Sequence, residues 1–217
     1  MIINGLEVNS PEYWEIRHQR DDWPRQSGWV LPTIVKCVPQ DARVLEIGCG
    51  QGAFAAELKK MRPDLIVKGI DISPTAIEKA NKNHGLGYQL RFDVTDVFRL
   101  SQDLEDEEYN YIISIQNFEH WKLNTHKEAL HQIWKRLMPG GRFFFTGVGE
   151  AWNLNGMNYS PMTVNGQTVN VPNDLHYNVW TEQSVYDLFQ TQKATSVKFW
   201  RLRQKDRVVA EAEKNEG

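Results

Sequence analysis

Apolar and polar positions fall into short alternating blocks along this chain. Arg43–Ile47, Ile66–Ile70, Tyr88–Asp93, Tyr111–Ile115 and Arg142–Thr146 are apolar runs of strand length. Between them, Ala53–Met61, Pro74–Lys82 and Thr125–Leu137 have helical period, the last stopped by Pro139-Gly140-Gly141. Upstream, Ser10-Pro11-Glu12 places a capping Ser before a Pro in the first helical position, which predicts a helix over Pro11–Arg20. An irregular piece with Pro24 and Gly28 leads to a second helix near Trp29–Cys37. Downstream, a helix near Thr181–Gln192 and a strand near Ser196–Leu202 form a last unit. The charged stretch Glu211–Gly217 reads as a frayed tail. Short buried strands alternating with helices predict an α/β fold, a mostly parallel sheet with helices on both faces. Such sheets bind ligands beyond the carboxyl ends of their strands, so the residues just after each strand carry the chemistry.

Residues 149–175 break this pattern, being rich in Asn, Gly and Pro and poor in charge. Within them, Val164-Asn165-Gly166-Gln167 predicts a tight hairpin, because Asn-Gly accepts the positive φ of such turns. The segment reads as a flap inserted into a single domain spanning residues 1–217.

Composition narrows the function classes. The chain has 217 residues, 41% hydrophobic and 24% charged, the balance of one soluble globular domain. A net charge of −3 speaks against a dedicated nucleic-acid binder. No apolar run reaches membrane-span length, and the N-terminus lacks the pattern of a secretory signal. Cys37 and Cys49 are too few for a disulfide framework, so a reducing cytoplasm is expected.

The strongest motif is Val44-Leu45-Glu46-Ile47-Gly48-Cys49-Gly50-Gln51-Gly52, a strand running through close glycines into a helix. Glycines there let backbone approach a ligand. Gly48, Gly50 and Ala53 also satisfy the G-x-G-x-x-G/A pattern of dinucleotide sites, so an NAD-dependent oxidoreductase is one reading. Glu46, two residues before the first glycine, would repel a pyrophosphate and suits a cofactor bearing a cation and hydroxyls. Asp71, in Gly69-Ile70-Asp71-Ile72-Ser73, can accept both hydroxyls of a ribose. Asp93, with the N–H of Val94, can read the amino edge of an adenine.

With these residues in place, the sequence resembles the class I S-adenosylmethionine-dependent methyltransferases over roughly residues 40–200. The matching pieces are VLEIGCGQG, GIDIS, FDVTD, IQNFEHW and RLMPGGRFFFT. Glu119-His120 before a helix, Pro-Gly-Gly before a strand, and His176-Tyr177-Asn178-Val179-Trp180-Thr181 are similar to the branch that methylates small molecules. Tyr13-Trp14-x-x-Arg17 resembles a helix that many of these enzymes fold over the cofactor, making residues 1–38 a lid. The resemblance implies a seven-stranded sheet and S-adenosylmethionine as cofactor, with S-adenosylhomocysteine as product. It implies that Glu46, Gly48, Cys49, Gly50 and Gly52 hold the methionine part and the ribose. Asp71 and Ile72 would hold the ribose, Asp93 and Val94 the adenine. Gln116 would line the path to the acceptor, and Tyr13 and Arg17 would close the lid. The chain departs from the enzymes that methylate base amines or glutamine amides. Where those carry Asn/Asp-Pro-Pro-Tyr/Phe, it has Gln116-Asn117-Phe118-Glu119.

Methyl transfer needs alignment and exclusion of water, and a hydroxyl acceptor also uses a base. His120, His176 and Glu119 are the candidate catalytic groups. Each has a purely structural reading at a helix start. Cys49 is read as a small packing residue. His126 and His131 are read as helix residues rather than metal ligands, and no metal is expected. Trp134 is expected in the core. Trp14, Trp23 and Trp29 belong either to a lid or to helix packing. The acidic run Asp103–Glu108 reads as a solvated loop. Trp152, Tyr159 and Tyr177 among Asn153, Asn155, Asn158 and Asn173 suit a sugar-like acceptor. The expected function is methyl transfer to a small polar acceptor, oxygen before nitrogen. The partner is a small molecule, with neither nucleic acid nor membrane, and the chain is a monomer or homodimer. A catalytically silent binding module of the same fold is the other alternative.

Overall fold

The structure is a computed structural model. It describes every residue except 1, 4, 5, 8, 20–27, 123–124, 150–158, 165–166, 173–178, 202–206 and 217, with backbone only for 2, 3, 6, 159–164 and 167–172. Two short strands, β1 (Ile2–Ile3) and β2 (Leu6–Glu7), precede α1 (Pro11–His18) and α2 (Leu31–Cys37). The alternating core follows: β3 (Arg43–Ile47), α3 (Ala53–Met61), β4 (Ile66–Asp71), α4 (Pro74–His84), β5 (Leu90–Val94), α5 (Leu100–Asp103), β6 (Tyr109–Ile115), α6 (His126–Arg136) and β7 (Leu137–Val148). The hairpin β8 (Tyr159–Val164) and β9 (Gln167–Pro172) is followed by α7 (Glu182–Gln190), β10 (Ser196–Phe199) and β11 (Arg207–Glu213).

The main sheet has seven strands in the order β10-β11-β7-β6-β3-β4-β5. β5, β4, β3, β6 and β7 are parallel, while β11 runs antiparallel between β7 and β10. The parallel strands are buried on both faces. On one side Ile47, Ile112, Phe143 and Phe145 pack on α6 and α7; on the other Val44, Val67, Ile113 and Phe144 pack on α2, α3 and α4. Local chemistry agrees with the fold at the helix starts. Ser10 caps α1 at the Tyr13 N–H (3.2 Å), and Ser73 caps α4 at the Ala76 N–H (3.1 Å). Thr181 and Ser184 form a reciprocal cap on α7.

Four expectations change. Pro139-Gly140-Gly141 does not separate helix from strand, because β7 begins at Leu137 and keeps these residues as an irregularity between Tyr109 and Tyr111 pairing. Proline lacks an N–H and Gly140 has φ 70°, both suited to a bulge. Of the tail predicted to fray, Glu211–Glu213 instead end β11, which is inserted beside β7 from Arg207↔Val148 to Glu213↔Arg142. Its charges misled because they are paired: Tyr111 donates to buried Glu211, and Arg142 Nε donates to Glu213 at 3.1 Å. The last unit's strand stops at Phe199. In the acidic run, Glu107 is no solvated side chain, since it accepts from Lys68, Arg91 and Tyr109. Trp134 is buried in the core as expected. Trp29 packs against the α2 side of it, and Trp23 lies outside the described residues. Val164 pairs with Gln167, as the predicted two-residue turn requires, although Asn165-Gly166 lies outside the described residues.

Candidate active site

The carboxyl ends of β3, β4, β5 and β6 lie side by side, and the residues that follow them build the site. Between β3 and α3, Gly48, Gly50 and Gly52 all take positive φ. Gly48 could carry no side chain: an added Cβ would lie 2.1 Å from Asn117 Oδ1. Asn117 Nδ2 donates to the carbonyls of Ile47 (2.6 Å) and Ile115 (3.3 Å), tying the glycine loop to the end of β6. The Cys49 N–H donates to Ile70 O at 2.9 Å, and its thiol packs under Gly69. Burial pushes that thiol well up, the surroundings of a packing residue.

Two carboxyl groups flank the loop in contrasting surroundings. Asp71 is buried, its Oδ2 accepting from the Gly50 N–H (2.9 Å) and its Oδ1 from the Ser73 N–H (3.0 Å). Each oxygen keeps a second lone pair for a further donor. Glu46 is pushed up to about 8, chiefly by burial; the Ala55 N–H opposes this and Asp71 adds to it. Its Oε2 is buried with no hydrogen-bond partner. That buried oxygen, beside the backbone of the glycine loop, can accept a further donor.

Helix α1 joins three of the strand ends. Glu15 accepts from Ser73 Oγ (2.5 Å), from the Thr75 N–H (3.2 Å) and from Thr75 Oγ1, all at the start of α4. The His18 carbonyl accepts from Lys79 Nζ (3.0 Å) and Gln51 Nε2 (3.4 Å). Trp14 meets the His120 ring edge-on, centroids 5.0 Å apart, at the turn after β6. Tyr13 is buried, and Arg17 Nη1 donates to its hydroxyl at 2.8 Å. His18 is buried, and burial holds its imidazole below the usual range against the opposing pull of Asp71.

The other predicted residues fall at the same end of the sheet. Ile72 follows Asp71. Asp93 is half exposed and pairs with Lys68 Nζ at 2.8 Å, and Val94 beyond it is exposed. Gln116 has φ 55°, its N–H donates to Thr146 Oγ1 at 3.1 Å, and its amide oxygen accepts from Arg207 Nε and Nη2, each at 3.1 Å. Glu119 is fully buried and His120 half-buried. His176 lies outside the described residues. His126 is a core group, its Nε2 2.8 Å from Phe118 O, while His131 is exposed. Among the described residues no cluster of His, Cys, Asp and Glu could hold a metal ion.

Four contributors escaped the sequence reading: Glu15, His18, Lys68 and Asn117. Lys68 had a signal, a lysine inside the otherwise apolar Ile66–Ile70 run. The others act through contacts from α1 or across strands, which spacing along the chain does not reveal.

A sheet of this order, with a glycine loop after its first parallel strand and acids ending the next two, defines the class I methyltransferase fold. Residues 44–141 match the family described as "Methyltransferase domain". The chain is 29% identical over 107 residues to malonyl-(acyl-carrier protein) O-methyltransferase 1 of Ilyobacter polytropus, covering 49% of this chain and 38% of that protein. It is 30% identical over 117 residues to demethylmenaquinone methyltransferase of Deinococcus radiodurans, covering 53% and 47% respectively. This chain thus spans less than half the length of either relative. Among solved structures, N-methyltransferase NodS from Bradyrhizobium japonicum, in complex with S-adenosylhomocysteine, superposes with TM-score 0.64. That match has 18% identity and covers 95% of this chain and 98% of NodS. The chain therefore has the class I methyltransferase fold, and its residues 44–141 are similar to a methyltransferase domain. Among the described residues no helix is long and apolar enough to cross a membrane.

Proposed function

We propose that this chain transfers the methyl group of S-adenosylmethionine to a small polar acceptor, with oxygen favoured over nitrogen as the receiving atom. The reading rests on one observation: the buried Asp71 carboxylate and the unpartnered Glu46 oxygen converge on the glycine loop beside α1. This donor set fits the cofactor. Glu46 takes its ammonium, Asp71 its ribose hydroxyls, and Asp93 with the Val94 N–H its adenine. A dinucleotide pyrophosphate would instead keep Glu46 protonated and gain no ion pair from it. The cofactor supplies a methyl group already activated on a sulfonium.

The protein's part is alignment and water exclusion. Helix α1 acts as a lid, latched by Glu15 to α4. The β8–β9 hairpin, whose β8 runs beside α1, serves as a flap over the acceptor. Gln116, held by Arg207 and Thr146, borders the reacting centre. His120, half-buried against Trp14, takes the acceptor's hydroxyl proton, the kind of role that supports oxygen over nitrogen. The flap's aromatic and amide residues favour a hydroxyl-rich acceptor.

Calorimetric titration with S-adenosylmethionine, S-adenosylhomocysteine and NAD, on wild type and Asp71→Ala, tests the reading. Micromolar binding of the first two, lost in the variant, is expected. Tight NAD binding with neither of the others overturns it. Once a screen of sugars and phenols yields an acceptor, His120→Gln should lower kcat about 100-fold while cofactor affinity stays within threefold.

A further inference from the structure

Lys68 is a buried cation in the middle of β4, only 4% exposed. A buried ammonium persists only when paired and hydrogen-bonded. Its Nζ lies 2.8 Å from Asp93 Oδ2 and 2.9 Å from Glu107 Oε1. The register explains the reach. Lys68 is opposite Arg91 and Ile70 is opposite Asp93, so Lys68 and Asp93 are diagonal neighbours on one face of the sheet. Glu107 is fixed from behind, accepting from Arg91 Nη2 and Tyr109 Oη, each at 2.7 Å. Arg43 Nη2 adds a third positive neighbour at 3.7 Å.

Asp93 differs from the rest of this network in standing half in solvent, its side chain 49% exposed, at the carboxyl end of β5. One of its oxygens is held by a cation that is itself held, while the side chain keeps about half of its surface in solvent. A carboxylate fixed this way accepts an N–H from one direction and repels a carbonyl oxygen placed there.

We propose that Lys68 is a positioning residue for base recognition: by pinning Asp93 Oδ2, with Glu107 as its anchor, it makes the cofactor site select a base bearing an exocyclic amine over one bearing a carbonyl. This rests on the reading that Asp93 meets the adenine. Without Lys68 the Asp93 side chain turns among rotamers and water bridges, and both affinity and discrimination fall.

The test measures dissociation constants for S-adenosylhomocysteine and its hypoxanthine counterpart, S-inosylhomocysteine, on wild type, Lys68→Met, Lys68→Arg, Glu107→Gln and Asp93→Asn. Wild type should prefer the adenine compound by at least about 30-fold, the worth of a hydrogen bond to a charged group. Lys68→Met should weaken S-adenosylhomocysteine binding roughly tenfold and shrink the preference at least about fivefold, with Lys68→Arg restoring most of it. Glu107→Gln should shrink it by a smaller factor. A folded Lys68→Met protein with the wild-type preference overturns the proposal. If that variant does not fold, an unchanged preference in Glu107→Gln overturns it. Unchanged S-adenosylhomocysteine binding in Asp93→Asn instead sinks the adenine reading beneath it.

Discussion

Replacing Glu46 by glutamine should make the empty protein more stable and the cofactor site worse. The side chain is buried, its acid held protonated up to about 8 from an ordinary value of 4.5. In the unfolded chain it ionises freely near 4.5. The folded form therefore binds the extra proton between these values, and stability falls as pH rises through that window, levelling off above about 8. The loss is roughly 1.4 kcal/mol per pH unit, or about 3 kcal/mol by pH 7. Glutamine keeps the shape and cannot ionise, so Glu46→Gln should be more stable than wild type by up to about 3 kcal/mol at pH 7 and indistinguishable from it at pH 4. Urea unfolding at both pH values reads this directly. Binding supplies a second signature. A cofactor ammonium beside Glu46 makes the carboxylate the favoured form, so binding near pH 7 should expel close to one proton. Titration calorimetry in buffers of different ionisation heat counts it. The variant should expel none and bind S-adenosylhomocysteine about 10- to 100-fold more weakly. A variant no more stable at pH 7 than at pH 4 relative to wild type, or unaltered proton release, refutes the reasoning.

Other outcomes follow from the same geometry. Glu15→Ala removes every bond α1 makes through that carboxylate to Ser73 and Thr75, and should raise amide exchange in α1 about 10- to 100-fold while β3 and β6 keep wild-type protection. Uniform exchange across the molecule would contradict the latch. His18 has its imidazole held below the ordinary 6.5, so the docked helix is favoured above that value and loosens as pH falls beneath it. Exchange in α1 compared at pH 7.5 and pH 5.5, with His18→Gln as the pH-insensitive control, checks the direction. Gly48→Ala places a Cβ 2.1 Å from Asn117 Oδ1 at φ 67° and should destabilise by more than about 2 kcal/mol in urea unfolding. Pairing it with Asn117→Gly should recover part of the loss; no recovery would show that the backbone conformation alone is responsible.

The five parallel strands and the loop after β3 were legible because each is a contiguous pattern, an apolar run ending in glycines or an acid. Asp71 and Asp93 could be located for the same reason, as strand-end residues. What escaped was information held between strands. β11 hides its burial behind Glu211 and Glu213, whose partners Tyr111 and Arg142 lie 100 and 71 residues away along the chain. Glu107 reads as one more acid in an acidic loop until Lys68 and Arg91 are seen beside it. Asn117 was noticed for the motif it fails to complete, whereas its work is to hold the Ile47 carbonyl across the sheet. Pro139-Gly140-Gly141 carried a true break signal, absorbed by the sheet as an irregularity instead of a boundary. Residues that would meet an acceptor are the least legible, because no contiguous pattern along a chain marks them.

The place of β11 in the sheet has a consequence for how the molecule is made. Ribosomal synthesis delivers β3, β4 and β5 early, so the half of the sheet carrying the glycine loop, Asp71 and Asp93 can assemble while the chain is still emerging. β7 and β10 follow, but they are not neighbours; the strand between them is translated after both. Until residues 207–213 arrive, Phe144 and Phe145 on β7 lie along an open hydrogen-bonding edge, a template for another chain. A ribosome stalled before residue 207 would therefore display the glycine loop and its two acids on an unfinished sheet prone to stick to itself. Premature stop codons in that stretch should yield aggregates rather than weakly active enzyme.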